Sequence, residues 1–161
     1  MLSWREIVMN NSVFGFETPE DSPGLLLWQT TITWQRLIKK ALDPYNISHA
    51  QFVILAITLW HDTKNLEVSQ GLIIRLSKLD KMTVSKSLRK LVAEGYIKRL
   101  EHQQDTRAKS VHLTKKGKII AEKLVPMVEK VDENFFGTIR KSEQHLLINA
   151  LNNLVSNSDS F

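Results

Sequence analysis

Lys86, Arg89 and Lys90 stand at i, i+3 and i+4, and Asp105 and Arg107 follow further along, two residues apart. The first spacing gathers three cations on one face of a helix. The second sets an arginine beside a carboxylate that can orient it through a charge-assisted hydrogen bond. Fixed cations of this kind hold an extended anion. No glycine-rich phosphate loop and no signature of a nucleophile with its base accompanies them, so the residues point to binding and not to an enzyme. Cysteine is absent, which removes disulfides, zinc-thiolate clusters and thiol redox switches together. The histidines, His49, His61, His102, His112 and His145, lack an acid or third ligand at metal spacing and read as surface or backbone-contacting residues, with His102 and His112 as candidate cross-strand partners. No metal and no cofactor is expected.

The elements that must position these cations are legible from caps and periodicity. Ser22 with Pro23 opens a helix through LLLWQTTITWQRLIKKAL that Pro44 stops. Its apolar residues Leu26, Leu27, Trp34, Leu37, Ile38, Ala41 and Leu42 cover more than one stripe. Ser48 to Gln51 has the form of a capping box before FVILAITLW, which is apolar nearly all round and belongs in a core. VSQGLIIRLSKL reads as a shorter helix with Leu72, Ile73, Leu76 and Leu79 on one side. Asp80 then caps a helix whose apolar stripe is Val84, Leu88, Leu91 and Val92, with Met82, Ser85, Lys86, Arg89 and Lys90 opposite. Gly95 ends it. Tyr96–His102 and Lys109–Leu113 read as two short strands with Asp105 and Arg107 at the tip between them. Thr114 starts a long helix with Ile120, Leu124, Met127, Val131 and Phe135 near a 3.5-residue period, bent at Pro126, and a last helix follows Ser142. Only Trp4 to Met9 suggests a helix within residues 1 to 20.

Charge follows the same map. From Arg75 to Lys118 there are thirteen lysines and arginines against four acids, a net of +9, while the whole chain carries +5, so the remainder is −4. A basic module between mildly acidic flanks suits a polyanion such as a nucleic acid. A helix of this width fits a DNA major groove, and the tip of a two-stranded ribbon reaches an adjacent minor groove, where an arginine gains from the concentrated negative potential.

The stretch DKMTVSKSLRKLVAEGYIKRLEHQQDTRAKSVHLTKKG resembles the recognition helix and wing of the MarR family of winged helix-turn-helix transcriptional regulators. The Asp-x-Arg of Asp105-Thr106-Arg107 and the Leu-Thr-x-x-Gly of Leu113 to Gly117 carry the likeness. The resemblance implies a mainly helical fold with a small β-wing, divided as an N-terminal segment and dimerisation helix (1–46), a winged helix-turn-helix DNA-binding domain (47–117) and C-terminal dimerisation helices (118–161). It implies a homodimer reading a pseudo-palindromic operator in double-stranded DNA, with half-sites about 10 base pairs apart. It places Thr83, Ser85, Lys86, Arg89 and Lys90 on the DNA-facing helix and Asp105, Arg107 and Lys109 on the wing. Met82 stands where the family commonly has serine and Arg89 where an acid is frequent, so no operator sequence can be carried over.

A repressor released by a small aromatic or phenolic effector is the expected function, with Trp28, Trp34, Phe52, Trp60 and Met127 as candidate lining of an effector pocket and core packing as their plainer role. Two other classes fit the basic face: a winged helix that binds an acidic protein, and a non-specific architectural DNA binder. The N-terminus lacks the basic flank and apolar core of a signal peptide, and no window reaches the roughly 18 apolar residues of a membrane span, so a cytoplasmic protein is expected.

Overall fold

The computed structural model of the protein describes residues 13–101 and 109–158. The chain divides between Arg36 and Leu37 into two compact units. In the first, a 3-10 turn at Pro19–Asp21 is closed by Asp21, whose carboxylate accepts from the Thr18 amide at 3.2 Å and the Thr18 hydroxyl at 3.1 Å. Helix α1 (Pro23–Leu42) starts where the sequence places it: the Ser22 hydroxyl accepts from the Leu25 amide at 3.2 Å, and Pro23 occupies a position that needs no donor. Val13, Phe14, Leu25, Leu26, Leu27 and Trp28 are all exposed in this unit.

The second unit opens with the end of α1, where Ile38 and Leu42 are fully buried. A 3-10 turn at Asp43–Tyr45 contains Pro44, and left-handed Asn46 redirects the chain. Helix α2 (His49–Asp62) is closed by the full capping box: Ser48 accepts from the Gln51 amide at 3.2 Å, and the Gln51 side chain accepts from the Ser48 amide at 2.8 Å. This helix is the hub, packing on α3 (Gln70–Ser77), α4 (Lys81–Ala93), the second wing strand and α5 (Lys115–Phe136). The core is Phe52, Ile54 and Leu55 of α2, Ile73 of α3, Val84, Leu88 and Leu91 of α4, and Ala121 and Leu124 of α5. Each large aliphatic side chain in it contributes roughly 2 kcal/mol by leaving water.

Strands β1 (Ile97–Glu101) and β2 (Lys109–Leu113) form an antiparallel ribbon in which Ile97 faces Leu113 and Arg99 faces Val111. The last helix, α6 (Lys141–Asn157), buries none of its residues and exposes Leu146, Ile148, Leu151, Leu154 and Val155. Among the described residues no helix is long and apolar enough to cross a membrane.

Several sequence expectations change. Val68 is not helical: α3 begins at Gln70 after the Ser69 cap, and the Val68 carbonyl accepts from the Val111 amide at 2.7 Å, adding a rung to the ribbon. Leu76 and Val92 belong to their apolar stripes by spacing yet are exposed, and Ser87 is buried instead. Tyr96 lies before β1. His112 faces Lys98, which excludes His102 as its cross-strand partner. On α5 the buried stripe is Gly117, Ala121, Leu124 and Val128, whereas Ile120, Met127, Val131 and Phe135 are half-buried. The expected helix over Trp4 to Met9 and the wing tip, with His102, Asp105 and Arg107, lie outside the described residues.

Candidate nucleic-acid interface

Helices α3 and α4 are joined by a tight turn through Lys78, which adopts a left-handed φ of 56°, and α4 starts at a strong cap. The Asp80 carboxylate accepts from the Thr83 amide at 2.8 Å and from the Thr83 hydroxyl at 2.6 Å. These bonds, the hydroxyl's first, hold the exposed Asp80 carboxyl below its ordinary range. A fixed negative charge at this end also favours the positive pole of the helix. With Val84, Leu88 and Leu91 at 0% exposure, rotation about the helix axis is blocked and the opposite face is held outward.

That face carries Lys86, Arg89 and Lys90, all exposed, with Met82 at 82% exposure near its start. Among the described residues neither Lys86 nor Arg89 makes an ion pair. Lys90 lies 3.9 Å from Glu94 across one helical turn, a long and solvent-screened contact. Thr83 and Ser85 are half-buried, and the Thr83 hydroxyl already donates to the cap, so α4 projects cations and a thioether more than hydroxyls. Lys109 is exposed on β2 opposite Glu101.

The far end of α4 closes with a glycine motif. Gly95 has φ 77°; its amide donates to the Val92 carbonyl at 3.0 Å, and the Tyr96 amide reaches back to the Leu91 carbonyl at 2.9 Å. The chain returns to this point from the wing. The Thr114 side chain caps α5 by accepting from the Gly117 amide at 3.0 Å while its hydroxyl donates to the Gly95 carbonyl at 2.6 Å. Gly117 is pressed on the Tyr96 carbonyl so closely that a Cβ would lie 1.9 Å from its oxygen. Leu-Thr-x-x-Gly is therefore a joint between two helices. The sequence signal was the glycine itself, placed in the first turn of a helix, where it costs stability unless a backbone must approach.

The five candidate pocket residues fall two in the first unit and three in the second. Trp28 is 67% exposed and Trp34 half-buried in the first unit. In the second unit Phe52 is in the core, Met127 is half-buried, and Trp60 is 63% exposed with the Lys64 ammonium 5.2 Å from its ring centre. An open apolar groove of about 560 Å³, lined by Leu37, Ala41, Val131 and Phe135 with Lys40 and Asn134, contains none of the five. Of the described histidines, His49 is held below its ordinary pKa by burial, opposed by Asp132, while His61 contacts the Ile57 carbonyl at 2.8 Å and His112 the Ser110 hydroxyl at 2.8 Å.

Two helices joined by a tight turn, the second outward-facing and cationic, followed by a two-stranded ribbon, define a winged-helix protein. Residues 43–131 match the ArnR1-like winged-helix domain family. The uncharacterised HTH-type transcriptional regulator YdcH of Bacillus subtilis (strain 168) is 37% identical over 131 residues, covering 81% of this chain and 89% of that one. Among solved structures, Bordetella bronchiseptica BpsR, whose DNA binding is regulated by 6-hydroxynicotinic acid, superposes with a TM-score of 0.76 at 20% identity over 87% of this chain and 97% of that one. A mutant MarR from E. coli complexed with operator DNA superposes with a TM-score of 0.70 at 22% identity over 81% and 91%. The chain belongs to the ArnR1-like winged-helix family, its relatives are HTH-type transcriptional regulators and not enzymes, and it shares its fold with the MarR structures.

Proposed function

We propose that this regulator binds a pseudo-palindromic operator as a homodimer, acts as a repressor, and is released by a small-molecule effector. The observation that carries the DNA reading is the outward face of α4: Lys86, Arg89 and Lys90 on a helix whose axial rotation is fixed by a fully buried stripe. Thr83 and Ser85 border that face, and Lys109 with Asp105 and Arg107 extends the contact through the wing. Backbone phosphates take the lysines, Arg89 reaches a phosphate or a guanine edge, and Arg107, steadied by Asp105, enters the minor groove.

Dimerisation is supported by apolar surface that the described residues leave exposed. The start of α1 exposes Leu25, Leu26, Leu27 and Trp28, and the whole of α6 exposes leucine, isoleucine and valine. Surface of this kind is worth about 25 cal/mol per Å² once a second copy covers it. This reading puts the dimer contacts in the N-terminal segment and helix (1–46) and the C-terminal helices (118–161), around a reading domain at 47–117. An aromatic or phenolic effector acts by binding one separation of the two reading heads better than another, so effector and operator affinities are reciprocally coupled.

Selection from a random duplex pool at near-physiological salt tests this reading. A pseudo-palindrome with half-sites about 10 base pairs apart is the expected product. Recovery of no preferred sequence, with steep salt dependence, would identify an architectural binder instead. Failure to retain any duplex would leave the basic face to an acidic protein.

A further inference from the structure

The turn that ends α4 is tied both to its own helix and to the start of α5. Three successive carbonyls of this turn are taken from there. The Lys116 ammonium donates to the Glu94 carbonyl at 2.7 Å, the Thr114 hydroxyl to the Gly95 carbonyl at 2.6 Å, and the Thr114 amide to the Tyr96 carbonyl at 3.0 Å. The same ammonium sits 4.5 Å from the centre of the Tyr96 ring, and Gly117 allows the helix to seat against the Tyr96 carbonyl. A helix end leaves carbonyls without intrahelical partners and carries partial negative charge, so an ammonium there is doubly favoured. The wing is a detour of some twenty residues, and the junction bypasses it. These bonds join the turn after α4 to the first turn of α5, and α5 extends from that point for roughly 33 Å.

We propose that Thr114, Lys116 and Gly117 are positioning residues that fix the angle of the reading helix on α5, so that the preferred distance between operator half-sites is set at this junction. The inference rests on the dimeric reading above. If α5 carries the dimer contact, a rotation of α5 is delivered to α4 through these bonds without passing through the core of the winged domain.

The test compares wild type, Lys116→Met, Thr114→Val and Thr114→Ser on duplexes carrying one half-site and on full operators whose half-site spacing is varied base pair by base pair. Lys116 lies outside the cap and its side chain is exposed, so Lys116→Met keeps the fold if Thr114→Val does not. Loss of the junction bonds should lower affinity for the best-spaced operator by about tenfold, the equivalent of one or two hydrogen bonds, and flatten the dependence on spacing. Half-site affinity and the salt slope should stay at wild-type values, and Thr114→Ser should restore the preference. An equal loss on half-site and full operator, with a shallower salt slope, would make Lys116 a plain phosphate contact and overturn the proposal. An unchanged spacing preference in both variants would overturn it as well. If the wild type itself does not distinguish one half-site from two, the dimeric reading fails, and this inference with it.

Discussion

Replacing Gly117 with alanine sets two effects of opposite sign against each other. In a helix interior alanine is favoured over glycine by about 1 kcal/mol, and less in the first turn, where the backbone is only partly committed. Against this, the new Cβ would stand 1.9 Å from the Tyr96 carbonyl oxygen and 2.8 Å from its carbon. Both are backbone atoms held by the Thr114 amide and by the glycine closure of α4, so neither can swing away as a side-chain tip would. Relief requires lifting α5 from the turn, with strain or lost contacts of roughly 1 to 3 kcal/mol or more, as for other overpacked sites. The clash therefore wins, and a net destabilisation of about 2 kcal/mol is expected. Urea unfolding followed by circular dichroism at one fixed protein concentration measures it, since the stability of the proposed dimer would depend on concentration. Two other glycines calibrate the result. Gly24 has open space around its Cβ position in the first turn of α1, so alanine there should be neutral or slightly stabilising. Gly95 also has open space but a φ of 77°, so alanine there should cost about 1 to 2 kcal/mol through backbone strain alone. A Gly117→Ala protein as stable as wild type would refute the close approach and the joint built on it.

Three further outcomes are expected. The Asp80 carboxyl is lowered in the folded state, so its cap contributes stability above the ordinary carboxylate range, and that contribution is lost as pH falls through the lowered native value. Asp80→Asn should keep most of the capping geometry while reducing the acid-side loss of the thermal midpoint, and identical pH profiles for the two proteins would contradict it. Lys86→Ala and Arg89→Ala should each lower duplex affinity and reduce the magnitude of the log–log salt slope by about one unit, read by fluorescence anisotropy at several salt concentrations. Leu154→Asp, on the exposed face of α6, should shift sedimentation toward the monomer while leaving the helical spectrum intact; an unchanged sedimentation coefficient would place the dimer contact elsewhere.

Where a feature depends on a few adjacent residues, it was legible in the sequence. The caps at Ser48, Asp80 and Thr114 and the glycine closure at Gly95 stand where their residue types place them, because each is satisfied by backbone groups within five positions. Helical period likewise separates Lys86, Arg89 and Lys90 from the buried Val84, Leu88 and Leu91. What escaped depends on distant partners. Val92 and Leu76 lie at apolar spacing but are left exposed by the described residues, and α5, which packs on α2, buries Ala121 and Val128. Val68 reads as helical until Val111, forty-three residues away, takes its carbonyl. The cationic face of α4 was thus open to sequence reasoning, while the joint at its end needed the return of the chain from the wing.

The Val68 rung also bears on self-association. A bare two-stranded ribbon has two open edges, each able to recruit a strand from another molecule. Here the outer side of β2 is occupied, through Val68 and the Ser69–Ser110 bridge, by the segment leading into α3. Among the described residues β1 keeps a free edge, and that strand carries an exposed lysine, Lys98, near an exposed leucine, Leu100. A positive charge on an otherwise sticky edge disfavours stacking of one wing on another, as repulsion between like edges would have to be overcome. One side of the ribbon is thus closed to strand exchange by the chain itself, and the other is guarded by charge.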